Sequence, residues 1–140
     1  MKIKDVMLKP VFISPDATKK DLFRVVKKNP QTDLFIIADK KRKFLGDLHI
    51  NDLFLMFLPD DRYEDIGVEL AFDIERKFFA KNAKELMRKH DFNCKPEDDL
   101  LNTALILGGL EVNEMPVIND NEQVVGVVTE RLLIRYLKKK

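Results

Sequence analysis

A chain of 140 residues and 16.4 kDa, 45% of it hydrophobic and with ten Phe, carries enough apolar mass for a packed interior, which excludes disorder over most of its length. Its 25 basic and 24 acidic residues leave a formal charge of +1, which excludes the broad basic face that neutralising several phosphates requires, so no nucleic-acid partner is expected. One cysteine, Cys94, excludes a disulfide framework and a Cys-x-x-Cys pair; with no signal-peptide core and no apolar run near the roughly 20 residues of a membrane span, a soluble cytoplasmic protein without a membrane partner is expected.

In chain order, a short amphipathic stretch ending in methionine, Ile3-Lys4-Asp5-Val6-Met7, precedes the extended piece Val11-Phe12-Ile13. Pro15 follows with Asp16 and Thr18, residue types that cap a helix, and Leu22, Val25 and Val26 then recur at helical spacing until Asn29-Pro30 ends the run. Leu34-Phe35-Ile36-Ile37, a turn over residues 39–43 and Phe44-Leu45-Gly46 read as two short strands, and residues 51–58 as a closing helix. Residues 59–82 form a linker, acidic at first through Asp60, Asp61, Glu64 and Asp65, then carrying Phe72, Ile74, Phe78 and Phe79 in a stretch that suits a helix packing its aromatics on the domain or on a second subunit.

The same order of events then recurs at an offset of about 80 residues. Ala83-Lys84-Glu85-Leu86-Met87 matches the opening stretch, Phe92-Asn93-Cys94 the extended piece, and Pro96 with Asp98 the helix start. Residues 100–107 make an apolar helix that Gly108-Gly109 is expected to stop, and its uniform apolarity predicts burial against both the sheet and a partner surface. Met115-Pro116-Val117-Ile118, a turn over residues 119–122, Val124-Val125-Gly126-Val127-Val128 and a helix over 130–137 complete the copy, and Lys138 to Lys140 make a solvated basic end. The chain is therefore α/β (α+β), with a first repeat over 1–58, a partly helical linker over 59–82 and a second repeat over 83–140.

Met-Pro-Val-Ile followed by Val-Val-Gly-Val-Val-Thr-Glu-Arg-Leu-Leu, inside an order of helix, strand, helix, strand, strand, helix that appears twice, resembles a tandem pair of CBS domains, a Bateman module. The resemblance implies two β-α-β-β-α repeats packed with pseudo-two-fold symmetry and a cleft on each side of their interface. It also implies a homodimer, and a regulatory or sensor role that passes the occupancy of a cleft to a partner enzyme or transporter, here in a separate chain. The regulatory ligands implied are AMP, ADP, ATP or S-adenosylmethionine, with no cofactor required. The alternative is a ligand-independent dimerisation or docking module.

The family pattern most informative about ligands is a glycine in the last strand, a Thr or Ser three residues on, and an Asp three beyond that. Glycine admits close backbone approach, the hydroxyl bonds ribose or phosphate, and the carboxylate accepts from the ribose diol. Each copy here keeps only part of it: Gly46, His49 and Asp52 in the first, Gly126, Thr129 and Leu132 in the second. The resemblance therefore ranks the Asp52 cleft above the other, since leucine accepts no hydrogen bond. Phe12 and Phe35 in the first copy, and Met115 and Pro116 in the second, complete the candidate set, as adenine walls or as core. Asp52 and Thr129 are equally suited to capping helices, and His49 to a satisfied, partly buried place at the strand end. The two histidines, His49 and His90, fall in different copies without a metal-ligand cluster, and neither a phosphate loop nor a nucleophile elbow is present, so no catalytic residue, no metal and no enzyme activity is expected.

Overall fold

The computed structural model describes residues 1–66, 72–90 and 92–138; residues 67–71 of the expected linker, and Lys139 and Lys140 of the basic end, lie outside the described residues. The chain divides into two compact units, one of Val11–Asp39 with Leu45–Lys89, the other of Met1–Pro10, Lys40–Phe44 and His90–Lys140.

The first-repeat unit contains β1 (Phe12–Ile13), α1 (Lys19–Lys28), β2 (Leu34–Ala38), β3 (Phe44–His49, from Leu45 on), α2 (Ile50–Met56), a 3₁₀ stretch over Asp60–Ile66, α3 (Phe72–Phe79) and α4 (Ala83–Leu86). Its sheet runs β1-β2-β3, with β1 parallel to β2. Thr18 caps α1 by accepting from the Asp21 amide, and the Asp21 carboxylate answers by accepting from the Thr18 amide. The apolar run of β2 is buried along its whole length, as a strand covered on both faces requires. Leu22, Phe35, Ile37, Leu48, Leu53 and Met56 form the core, joined by Ala83 and Leu86 from the opening of the second repeat. Those two are brought in by α4, whose Ala83 and Lys84 amides donate to the carbonyls of Ala17 and Pro15. The linker belongs to this unit: α3 packs on α2, with Phe78 buried and in ring contact with Tyr63 and Phe79.

The second-repeat unit contains α5 (Leu100–Leu110), β4 (Glu114–Ile118), β5 (Val124–Thr129) and α6 (Glu130–Tyr136), with β4 and β5 antiparallel. Its core of Cys94, Leu100, Leu107, Met115, Val117, Val128, Leu132 and Leu133 is completed by Ile3 and Val6 from the start of the chain. The Ile3 and Lys4 amides donate to the Asp98 and Pro96 carbonyls, so a 3₁₀ turn over Ile3–Asp5 takes here the place that α4 has in the other unit. The Cys94 backbone pairs with Val117, and burial pushes its thiol up to about 12, which disfavours the thiolate.

Two local expectations are corrected. Helix α5 does not stop at Gly108-Gly109: glycine tolerates helical dihedrals, and the helix runs on to Leu110 and ends at Glu111, which takes a left-handed φ of 56°. Its cap is Asp99, which accepts from the Asn102 amide, while Asp98 accepts from the Lys95 amide instead. Only one face of α5 is covered, through Leu100, Thr103 and Leu107; Leu101, Leu105, Ile106 and Leu110 are exposed. Among the described residues no helix is long and apolar enough to cross a membrane.

Because Ile3 is fully buried in a core otherwise built by the second repeat, Ile3→Ala should lower the stability of that unit by about 3 kcal/mol, measured by denaturant titration. Glu97 anchors the same segment by accepting from Lys2 Nζ at 2.7 Å and Lys4 Nζ at 2.9 Å, and these hydrogen bonds hold its carboxyl down at about 2, against 4.5 for a free glutamate. A lowered folded-state value contributes stability above pH 4.5 that is lost as pH falls through about 2. The denaturation midpoints of wild type and Glu97→Gln should therefore differ at neutral pH and converge towards pH 2.

Candidate functional site

The candidate residues separate by unit. Phe12, Phe35, Gly46, His49 and Asp52 fall in the first-repeat unit, and Met115, Pro116, Gly126 and Thr129 in the second. Phe35 and Met115 are buried core residues, and Phe12 is half-buried on β1. The Pro116 carbonyl accepts from the Cys94 amide, and the ring costs the ladder nothing on that bond because the carbonyl is what is used.

Both glycines sit where another segment crosses close to the last strand. A Cβ on Gly46 would lie 2.6 Å from the Arg88 carbonyl oxygen, and one on Gly126 would lie 2.5 Å from Met7 Sδ. The crossing segment is the other copy's opening stretch in each case. Arg88 and Asp47 exchange backbone hydrogen bonds of 2.9 and 3.0 Å beside Gly46, and Leu8 and Val127 exchange bonds of 2.9 and 3.0 Å beside Gly126.

At the end of β3 the chain turns directly into α2. His49 is the N-cap: its Nδ1 accepts from the Asn51 amide at 3.1 Å, which places the ring proton on Nε2. Asp52 Oδ2 accepts from the His49 amide at 3.1 Å. The helix-capping role thus belongs to both residues, but capping uses only part of Asp52. Its side chain is 5% exposed, and Lys77 Nζ on α3 lies 2.9 Å from Oδ1, with Arg88 Nε 3.6 Å from Oδ2. Arg88 also reaches the buried Asp47, its Nε and Nη2 both 3.3 Å from Oδ1. Arg88 is thus shared by the buried carboxylates of Asp47 and Asp52, and Lys77 approaches Asp52 from α3.

In the second-repeat unit the corresponding place is apolar. Thr129 caps α6 by accepting from the Leu132 amide at 3.1 Å, Leu132 is buried where Asp52 stands in the first repeat, and Val127 replaces Asp47. Asp47, Lys77 and Arg88 were absent from the sequence-based set. Asp47 alone carried a signal, a carboxylate inside the strand run Phe44-Leu45-Gly46-Asp47-Leu48 where the second copy has valine; Lys77 and Arg88 lie far from Asp52 in sequence and reach it only through the fold.

The two glycines differ in what a methyl would strike, rigid backbone at Gly46 and a flexible thioether at Gly126. Gly46→Ala should accordingly cost about 2 to 3 kcal/mol and Gly126→Ala, where the Met7 side chain can give way in part, about 1 to 2 kcal/mol in thermal or chemical denaturation, the difference reporting the close crossing of Arg88 over β3.

The CBS domain family model matches residues 3–58 and again 83–139. An uncharacterised protein of Methanocaldococcus jannaschii, MJ1426, is 23% identical over 98% of this chain and 91% of its own length. Among solved structures, the CBS domain of a membrane protein from Sphaerobacter thermophilus aligns with a TM-score of 0.74 at 21% identity, over all of this chain and 90% of its own. The CBS domain pair of protein MJ0100, solved with 5′-methylthioadenosine and S-adenosyl-L-methionine, aligns with a TM-score of 0.73 at 17% identity, over 97% of this chain and 94% of its own. CBSX2 of Arabidopsis thaliana, solved with AMP, gives 0.73 at 16% identity, over 96% and 94%. With a family match over both copies and an α+β fold shared with these pairs, the chain belongs to the CBS domain family and carries two CBS repeats.

Proposed function

We propose that this chain is a regulatory module that binds an adenine nucleotide or adenosyl ligand at Asp52 and passes its occupancy to a partner surface. The observation that carries the reading is the carboxylate at the β3–α2 junction, buried, beside Gly46 and His49, and gathered with two cations from residues 77 and 88. A carboxylate so placed accepts from a ribose diol, while an arginine, a lysine and an imidazole N–H are donors suited to phosphate. CBS pairs of the same fold have been solved with AMP and with adenosyl compounds, which supports the ligand class. The same place in the second-repeat unit, with Leu132 and Val127, lacks the acceptor, so binding is asymmetric between the repeats.

The output surface is the uncovered face of α5, with Leu101, Leu105 and Ile106 exposed, together with Ile134 on α6. Such an apolar face suits a second copy, in a homodimer, or a partner enzyme or transporter.

Titration calorimetry with AMP, ADP, ATP and S-adenosylmethionine should give heat for at least one, and Asp52→Asn should weaken that binding by about 1 to 3 kcal/mol. Absence of heat from all four would overturn the reading; a stable, nucleotide-indifferent dimer in sedimentation would then favour ligand-independent assembly through the α5 face.

A further inference from the structure

Helix α1 turns Leu22, Val25 and Val26 to the core of the first-repeat unit. Lys20, Phe23, Arg24 and Lys27, at spacings of three, four and seven residues, make the opposite stripe, with Lys28 beside it, and all five are exposed. Phe23, 45% exposed, is the apolar member: its ring meets Phe57 edge-on at 5.2 Å, and the Lys27 ammonium stands 4.6 Å from its centroid. Phe54, one turn before Phe57 on α2, is 64% exposed and extends the aromatic surface along that helix. Local physics does not favour the cations. Lys20 with Arg24, Arg24 with Lys27 and Arg24 with Lys28 are like-charge pairs at the spacings where helix side chains meet, each mildly destabilising. Among the described residues the stripe's one ion pair is Arg24 with Asp21 at 3.9 Å, and the Asp21 carboxylate is already engaged by Thr18. The duplicate helix α5 carries no charged residue from Leu100 to Leu110, so the fold itself does not require them.

We propose that this face of α1, with Phe23 and Phe54 as its apolar part, docks an acidic segment of a partner protein, one that sets apolar or aromatic side chains among its carboxylates. Charge complementarity selects the occupant. A second copy of the chain, in a two-fold contact through this face, would place the same cations against each other. A lipid surface requires side chains that enter hydrocarbon, and Phe23 would have to carry the Lys27 ammonium in with it. An acidic segment meets both features at once. Its carboxylates accept from Lys20, Arg24 and Lys27, and its apolar side chains cover the rings, which gives the aromatic and arginine centre that concentrates binding energy in protein interfaces. This face belongs to the first-repeat unit and the apolar α5 face to the second, and the contact stands whether or not Asp52 holds a ligand.

The probe is a fluorescein-labelled synthetic peptide of interleaved Glu, Leu and Phe, with a counterpart carrying Gln for Glu, and binding to the whole chain is read by anisotropy. The acidic peptide should bind at least about tenfold tighter than its neutral counterpart, and less tightly as salt is raised. Combining Lys20→Gln, Arg24→Gln and Lys27→Gln should lower its affinity at least about tenfold, and Phe23→Ala alone about threefold. The triple variant loses its like-charge pairs, so its melting temperature should be no lower than that of wild type, and lost binding is then not lost folding. Combining Lys9→Gln, Lys40→Gln and Lys41→Gln, the same change of charge at exposed sites of the second-repeat unit, should leave binding as in wild type. Wild type that ignores the acidic peptide overturns the proposal, as does equal weakening in the two triple variants, which would reduce the effect to net charge. Phosphatidylglycerol vesicles that bind through the same cations, with no affinity for the peptide, would make the face a lipid surface. An oligomer lost from the stripe variant in sedimentation would make it a contact between copies. Either of these results also overturns the protein partner.

Discussion

The constraint on which the rest depends is the unpaired edge that each repeat leaves on its last strand. Backbone donors and acceptors on a buried strand need partners, and β3 and β5, paired on one side with β2 and β4, find none for their other edge within their own copy. The first-repeat edge is closed by Arg88 pairing with Asp47, and the second by Leu8 pairing with Val127. In each case the partner comes from the other copy's opening stretch, preceded by a short helical turn that inserts its apolar residues, Ala83 and Leu86 in one unit and Ile3 and Val6 in the other. A single repeat is thus an incomplete sheet with an incomplete core. The glycines follow from the same constraint, since a crossing this close leaves no room for a Cβ on the strand beneath it.

What the two units do with the same crossing is different. Val127 and Leu132 make the second-repeat version apolar, and there side-chain burial adds to the Leu8–Val127 backbone pair. Asp47 and Asp52 make the first-repeat version ionic, which requires cations delivered to each carboxylate; Arg88 comes with the crossing segment itself and Lys77 with α3. Buried ion pairs are a weak source of stability compared with packed apolar groups of similar volume, because desolvation offsets much of the attraction. An apolar solution to this crossing exists in the same chain, so stability alone does not account for the charged one. Polar groups held at that cost in one unit and absent from its duplicate point to a use for the carboxylate.

Much of the fold was legible because it rests on local patterns repeated twice. Extended runs such as Leu34-Phe35-Ile36-Ile37 and Met115-Pro116-Val117-Ile118, and the Thr18 cap before Leu22, each specify an element on their own, and the duplication removes most of the ambiguity of short segments. The end of α5 was not legible. Glycine is read as a stop, yet nothing in the unit meets a Cβ at Gly108 or Gly109, and the helix terminates two residues later through the backbone of Glu111. The exposed side of α5 was equally hidden, since an all-apolar helix carries no amphipathic signal to say which face the core takes.

The candidate site was legible only for residues adjacent in sequence. Gly46, His49 and Asp52 lie within one strand-to-helix turn, and their spacing is a local fact; Lys77 and Arg88 belong to segments whose meeting with Asp52 is decided by the edge pairing of Arg88 and by the packing of α3 on α2. Charge order in the sequence gave no indication of this, because the linker containing Lys77 reads as an acidic start followed by a stretch marked by its aromatics. The consequence is chemical as well as topological. A carboxylate considered alone is an open acceptor, whereas the folded carboxylate is already engaged by Lys77, Arg88 and the His49 amide, and its chemistry is that of the group they make together.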